Sequence, residues 1–328
     1  TVALDTRLSG KVYTGPVQNT WVVGSDFRNF DYHYTAVADY RTITVDAKSP
    51  QATYSPFYSL NSSKCLFNNY VMPGYNQFQE GVYFQDQIKW KNLSVIIGGR
   101  QDWVNSSYRY DSTTNVYGTI HHSAGIGKPQ PQAAFTWRGG IIYNFDFGLT
   151  PYFSYSTSFV PQTSTNWQGQ PFSPLTGKQL EAGLKYKVPN RDILLTAAAF
   201  RIDEDHYLIS DLLHSGYSND AGSVRSQGFE VSANANITKS LKLVASYTFE
   251  DVRFTNNNKT ARRYNPSTLS YYGSYVSENG KFVPYVPRNM FNMFLDYTFR
   301  DTPLKGFGIN GGVRWTGFTY PDYVESYK

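Results

Sequence analysis

Residues 241–249, Leu-Lys-Leu-Val-Ala-Ser-Tyr-Thr-Phe, set apolar or aromatic side chains at odd positions and mostly polar ones at even positions. Successive side chains of a strand point to opposite faces, so this segment has one oily face and one wet face. The same alternation predicts twelve strands, near 2–9, 17–33, 77–91, 93–111, 129–144, 148–161, 177–188, 192–208, 222–237, 241–255, 287–300 and 306–320. Short connections at Gly10–Pro16, Lys91–Asn92, Phe145–Phe147, Pro189–Arg191, Thr238–Ser240 and Asp301–Lys305 alternate with long ones at 34–76, 112–128, 162–176, 209–221 and 256–286. No helical period interrupts them.

Tight turns at one end and long loops at the other are the mark of an outer-membrane barrel. A soluble sandwich or propeller is the alternative, but it is not expected to segregate loop lengths so strictly, and loops this long are unusual in a compact soluble domain. Faces can be assigned. Val231, Ala233, Ala235 and Ile237 should meet lipid, with Ser232, Asn234 and Asn236 inside. Phe291, Met293, Leu295, Tyr297 and Phe299 form a second lipid stripe, and Phe153, Tyr155 and Phe159 a third, with Ser154, Ser156 and Ser158 inside. Asp86 breaks the rule by sharing a face with Phe84, Ile88 and Trp90. Trp21, Trp90, Trp103, Trp137, Trp315 and Tyr320 fit interfacial girdles, where a ring can be half wet and half oily.

Composition agrees. Aromatic residues make up 17% of the 328 residues and charged residues 17%, below the roughly 25% of an ordinary soluble domain. Mean hydropathy is −0.46, and the long apolar run a membrane helix needs is absent from the sequence. A barrel needs only every second residue to be apolar, which reconciles low hydropathy with membrane residence. The net charge of +5 is scattered, so there is no nucleic-acid footprint. The single cysteine, Cys65, is a free thiol or half of a bridge to a segment outside this sequence. The first residues read as the end of a strand and the last as a strand running into a loop, so residues 1–328 are expected to be the middle of a larger protein.

No catalytic signature, metal-ligand spacing or phosphate loop is present, and an enzyme is not expected. His121 and His122 fall in a predicted loop and read as a solvated pair. The loops are rich in rings: Tyr54, Phe57, Tyr58, Phe67, Tyr70 and Tyr75 in one, Trp167 and Phe172 in another, and Tyr271, Tyr272, Tyr275, Phe282 and Tyr285 in a third. Rings give large contact area at low rotamer cost, so a ligand vestibule is one reading, and packing of loops over the barrel mouth the other.

Several segments resemble TonB-dependent siderophore receptors of the Gram-negative outer membrane. They are PQAAFTWRGGIIYNFDFGLTPYFSYSTSFVPQTS, FSPLTGKQLEAGLKY, GVYFQDQIKWKNLSVIIGGRQDW, RSQGFEVSANA, LVASYTFED and VPRNMFNMFLDYTF. FTWRGG (135–140), TPYFSYS (150–156) and GGVRWTG (311–317) bring the chain nearest the ferrichrome-type hydroxamate receptors. The resemblance implies an all-β transmembrane antiparallel barrel of about twenty-two strands, of which about twelve are present here, with the N-terminal plug domain and the last strands absent. It implies a transported ferric siderophore, no covalent cofactor, outer-membrane lipid as surroundings, and TonB as partner through the absent N-terminal region. It also implies a ligand-contacting ring in the 34–76 loop, with Tyr54 and Phe57 the nearest candidates and Tyr58 a neighbour; with Trp167 and Phe172 from the ring-rich 162–176 loop, these are the candidate ligand contacts.

Overall fold

A computed structural model describes residues 1–33, 36–39, 68–116, 119–126, 130–162, 164, 166–168, 170–211, 214, 217–220, 222–257, 259–268, 270–300 and 303–326. The described residues form strands and no helix. The strands are β1 (Val2–Thr14), β2 (Val17–His33), β3 (Ala36–Asp39), β4 (Asn68–Trp90), β5 (Leu93–Val116), β6 (Thr119–Ile126), β7 (Gln130–Tyr143), β8 (Leu149–Val160) and β9 (Leu175–Lys187). They continue as β10 (Ile193–Asp205), β11 (Leu208–Ser210), β12 (Ser218–Asp220), β13 (Ser223–Asn236), β14 (Leu241–Asn256), β15 (Thr260–Asn265), β16 (Ser270–Ser277), β17 (Asn289–Thr298) and β18 (Gly308–Thr316).

Twelve of these follow one another as hydrogen-bonded neighbours in the order β1-β2-β4-β5-β7-β8-β9-β10-β13-β14-β17-β18. They correspond one to one with the twelve predicted strands. The other six lie in the long connections. β3 pairs with β4 and β6 with β5, while β11–β12 and β15–β16 are separate two-stranded pieces. Two corrections follow. β4 begins at Asn68, so its first part had been assigned to a loop, and β5 runs on to Val116. His121 and His122 lie on β6, with backbones opposite Thr114 and Thr113, because the chain folds back on the extended β5 there.

The chain divides into two compact units. The first comprises Thr1–Asp5, Asp26–Gly81 and Asp102–Ala133. In it Gln79 donates to Asp102 across 2.9 Å, and Phe27 meets Phe78 edge to face at 5.2 Å.

The second comprises Thr6–Ser25, Val82–Gln101 and Ala134–Lys328. Its register aligns side chains in rows across the strands. Leu184, Ala197, Val231, Tyr247 and Phe291 form one row from β9 to β17. Phe153, Ala182, Ala199, Phe229 and Phe249 form another from β8 to β14. The next residue along each strand points the other way: Thr196, Ser232, Ser246 and Asn292 align, with the Thr196 and Ser232 hydroxyls 2.6 Å apart. On that polar face Tyr152 donates to Glu181 at 2.6 Å, its ring lying over Gly183, where a Cβ would come within 2.5 Å of it. The assigned faces of the strands near 148–161, 222–237, 241–255 and 287–300 are therefore the observed ones. The apolar face is uncovered: Leu184 is 48% exposed, Phe153 47%, Phe229 44% and Val231 42%. An apolar surface spread across six strands is far larger than a water-facing protein tolerates, and lipid is its natural cover.

Short turns close one end. Lys91–Asn92 joins β4 to β5, with Lys91 at φ 50, and in the 237–240 turn Thr238 Oγ1 accepts from the Ser240 and Leu241 amides at 3.1 and 3.0 Å. Rings gather there. Tyr143, Phe145 and Phe147 lie in series at 4.7 and 5.2 Å, and Tyr297, Phe299 and Phe307 at 4.9 and 6.1 Å. Trp90, Trp137 and Trp315 are exposed on this unit's wall as a girdle requires, whereas Trp21 is half-buried; Trp103, in the first unit, is exposed. Tyr320 departs from that expectation: it stacks on Phe282 at 5.3 Å and 13°, inside the long-loop region. Asp86 keeps its anomaly: one carboxylate oxygen is buried without a hydrogen bond among the described residues.

The buried core of this unit lies at the long-loop end rather than in the wall. Val224, Phe254 and Val283 pack with Tyr207, Ile209, Val252, Val286 and Tyr323. Beside them Glu278 is buried, accepting from Asn257 Nδ2 at 2.9 Å. Burial raises its pKa, against the opposing Asn257 hydrogen bond and Lys259 charge. A carboxyl raised on folding is held more tightly as the acid in the folded loop. Its contribution is complete below the ordinary glutamate value and is lost as pH rises through the raised one.

Two measurements check these assignments. In the full-length protein refolded into vesicles, Val231→Arg should cost about 2–4 kcal/mol in denaturant unfolding, and Ser232→Arg markedly less; equal costs would mean the faces are misassigned. Amide exchange of residues 254–281, corrected for intrinsic rates, should quicken as pH rises above the ordinary glutamate range, and Glu278→Gln should flatten that rise.

Candidate functional site

The long connections of the second unit carry two ordered clusters. The first is built on the β8–β9 loop. Asn166 Oδ1 accepts from the amides of Gln168 and Gln170 at 3.0 and 2.8 Å, and the Asn166 amide donates to Gln170 O at 2.9 Å. An Asx-type arrangement of this kind fixes a tight loop tip, and Trp167 sits on it, 50% exposed. Gln162 ties the loop base down, donating to Ser173 O at 2.9 Å and His206 O at 2.6 Å.

Trp167 stacks on His214, centroids 4.5 Å apart and planes 11° apart. His214 comes from the β10–β13 connection. Its Nδ1 lies 2.9 Å from Asp211 Oδ2, and Asp211 is buried. The base of that connection is held by His206, at φ 65, whose Nδ1 lies 3.0 Å from Asp220 Oδ2. A buried carboxylate thus fixes one imidazole edge, and a Trp face fixes the ring plane. The result is a half-exposed aromatic platform with a hydrogen-bonding edge, suited to a large polar ligand with apolar patches.

The second cluster surrounds Phe282. Arg253 lies 3.7 Å and Arg288 4.8 Å from its ring centroid, and Tyr320 stacks on it. The Phe282 amide donates to Glu325 Oε1 at 3.0 Å, and Lys281 Nζ to Glu325 Oε2 at 3.2 Å. Phe282 is consequently buried, and its role is to hold the loop. Tyr271, Tyr272, Tyr275 and Tyr285 are exposed.

Of the expected ligand contacts, Trp167 is displayed at a loop tip, and Phe172 is half-buried on the same loop. Tyr54, Phe57 and Tyr58, with Cys65, lie outside the described residues. Sequence reading missed His214 and Asp211, since nothing local marks a histidine whose partner ring is 47 positions away. No cluster of metal-ligating side chains occurs among the described residues.

Comparison with known proteins agrees with this architecture. A family model described as TonB dependent receptor-like, beta-barrel, matches residues 2–328. The ferrichrome outer membrane transporter/phage receptor of Escherichia coli (strain K12) is 33% identical over 99% of this chain and 40% of its own length. The ferrioxamine B receptor of Salmonella typhimurium (strain LT2) is 28% identical over 99% of this chain and 41% of its own length. The crystal structure of the ferric-catecholate import receptor Fiu of E. coli K12 matches with a TM-score of 0.71 at 21% identity, covering 98% of this chain and 45% of that one. The chain therefore spans about two fifths of the curated relatives it matches. With twelve antiparallel strands, an uncovered apolar face and a family match along its length, it belongs to the TonB-dependent receptor β-barrel family of the outer membrane.

Proposed function

We propose that this chain is the central barrel portion of a receptor that binds a ferric siderophore of the hydroxamate type and imports it with energy relayed by TonB. The observation that carries the reading is the 33% identity to a ferrichrome transporter along 99% of the chain. The 28% identity to a ferrioxamine B receptor supports it, because both ligands are hydroxamate chelates. Iron arrives inside the ligand, so the protein needs to supply contact area and hydrogen bonds, not a metal site. Trp167 and His214 supply both, with Phe172 and the three ring positions Tyr54, Phe57 and Tyr58 as further contacts. TonB acts through a segment N-terminal to this barrel portion.

The test uses the full-length gene in an iron-starved strain lacking its own hydroxamate receptors. Ferrichrome or ferrioxamine B should restore growth, and deletion of tonB should abolish it. Growth on catecholate chelates alone, or uptake only of cobalamin or a sugar, would overturn the ligand class; uptake that survives loss of TonB would point to a passive pore. Trp167→Ala should raise the half-saturating ligand concentration roughly five- to thirtyfold, the range of a buried aromatic contact of 1–2 kcal/mol, with surface expression unchanged.

A further inference from the structure

The connection between β10 and β13 is built as an arm. β11 and β12 pair from Leu208 opposite Asp220 to Ser210 opposite Ser218. At the base His206 Nδ1 lies 3.0 Å from Asp220 Oδ2, and the Tyr207 amide donates to Gly222 O at 3.1 Å. At the tip the Asp211 amide donates to Tyr217 O at 2.9 Å, and the Tyr217 amide to His214 O at 3.1 Å. His214 is thereby carried on a short ladder closed at both ends, and it reaches Trp167 of the β8–β9 loop.

Asp211 grips His214 twice. Its Oδ1 accepts from the His214 amide at 3.3 Å, and its Oδ2 from Nδ1 at 2.9 Å. Both oxygens act as acceptors, so the ring hydrogen lies on Nδ1, and in the neutral imidazole Nε2 is left as the acceptor. Nε2 points away from Asp211 and has no hydrogen-bond partner among the described residues. The His214 side chain is 37% exposed, that of Asp211 only 5%. Burial does not explain the arrangement, because Trp167 stays half exposed with its stacking partner in place. What the arrangement makes is a flat apolar ring beside one lone pair, whose direction is fixed from behind by a buried carboxylate.

We propose that this platform selects chelates that present an N–H donor beside an apolar face, and that Asp211 is the positioning residue that keeps His214 Nε2 an acceptor; the inference rests on the ligand class proposed above. In a ferric hydroxamate the chelating oxygens are taken by iron. The hydrogen-bond donors left at the ligand's surface are the N–H groups of its linkers and termini. The Nε2 lone pair fits such a donor. It rejects a carbonyl or ether oxygen in the same place, because acceptor would then face acceptor and both would lose their water. The Asp211 charge behind the ring adds to the attraction for a donor and opposes an anionic group. Two connections share the selection, Trp167 from β8–β9 giving contact area and His214 from β10–β13 giving direction.

The full-length receptor would be titrated with ferrichrome and with a ferrichrome analogue methylated at its peptide nitrogens. In parallel, nitrogen resonances of isotope-labelled histidine rings would be recorded, those of His214 being assigned by their loss in His214→Phe. Wild type should bind the N–H form roughly tenfold tighter and carry the ring hydrogen on Nδ1. His214→Phe keeps a ring against Trp167 and should bind both forms with the weaker affinity. Asp211→Asn should do the same by another route. Its carbonyl oxygen can still take the His214 amide while its amide nitrogen turns a donor toward Nδ1, so the ring hydrogen moves to Nε2. A merely structural Asp211 would weaken both ligands alike and leave the ring hydrogen in place. Equal affinity for the two forms in wild type would overturn the proposal, as would a wild-type ring with its hydrogen on Nε2. So would a preference that persists in His214→Phe or Asp211→Asn. Binding of neither form by wild type would instead remove the hydroxamate reading, and this selection with it. Variants are compared only where the unboiled protein keeps its folded electrophoretic mobility.

Discussion

In hydrocarbon no water is available to backbone amides and carbonyls, and each one left unpaired costs several kcal/mol. That constraint orders everything else in this chain. It demands an unbroken ladder, and the ladder is there: β10 pairs residue for residue with β13 from Ile193 to Asp205, and β9 with the other edge of β10 from Leu194 to Asp205. Once the ladder carries the wall, side chains are released from packing against one another. One face needs only to be apolar, and the other only to be polar. This is why Phe254, Val224 and Val283, the closest approach to an ordinary hydrophobic core, sit among the loops, where water returns and packing is again the means of burial.

The same logic separates what the sequence shows from what it hides. A wall strand has a period of two over a dozen residues, and β14 or β17 can be read directly from its letters. β11 and β12, at three residues each, are too short to have a period, and they exist because Leu208, Ile209 and Ser210 find Asp220, Asn219 and Ser218 across a connection. The start of β4 was hidden for a related reason: its partner β3 is a four-residue strand with no pattern of its own. At the candidate site, Trp167 was visible as a ring in a polar loop, but the histidine that fixes its plane was not. Tyr320 looked like a girdle residue because it follows a strand. Its true neighbour, Phe282, is brought to it by a loop that returns after β16. Conversely, Asp251 and Arg253 share the face of Phe249 by simple alternation, and their place above the apolar rows could have been read from sequence once the register was known.

The change from Phe249 to Asp251 on one face of one strand also divides the molecule's surfaces. Below it the rows of this face are apolar; above it they carry charge. Trp167 and His214 belong to connections that leave β8 after Val160 and β10 after Asp205, both further toward the long loops than the charged row of Lys178, Asp203, Arg225 and Arg253. The aromatic platform and the charged rows therefore lie at different levels of the strand–loop wall. The platform's imidazole is held by a buried aspartate within its own connection, whereas Arg225 and Arg253 are held by Asp203 and Asp251 on the wall itself. Loop sequence can therefore change to suit a ligand while the wall is retained.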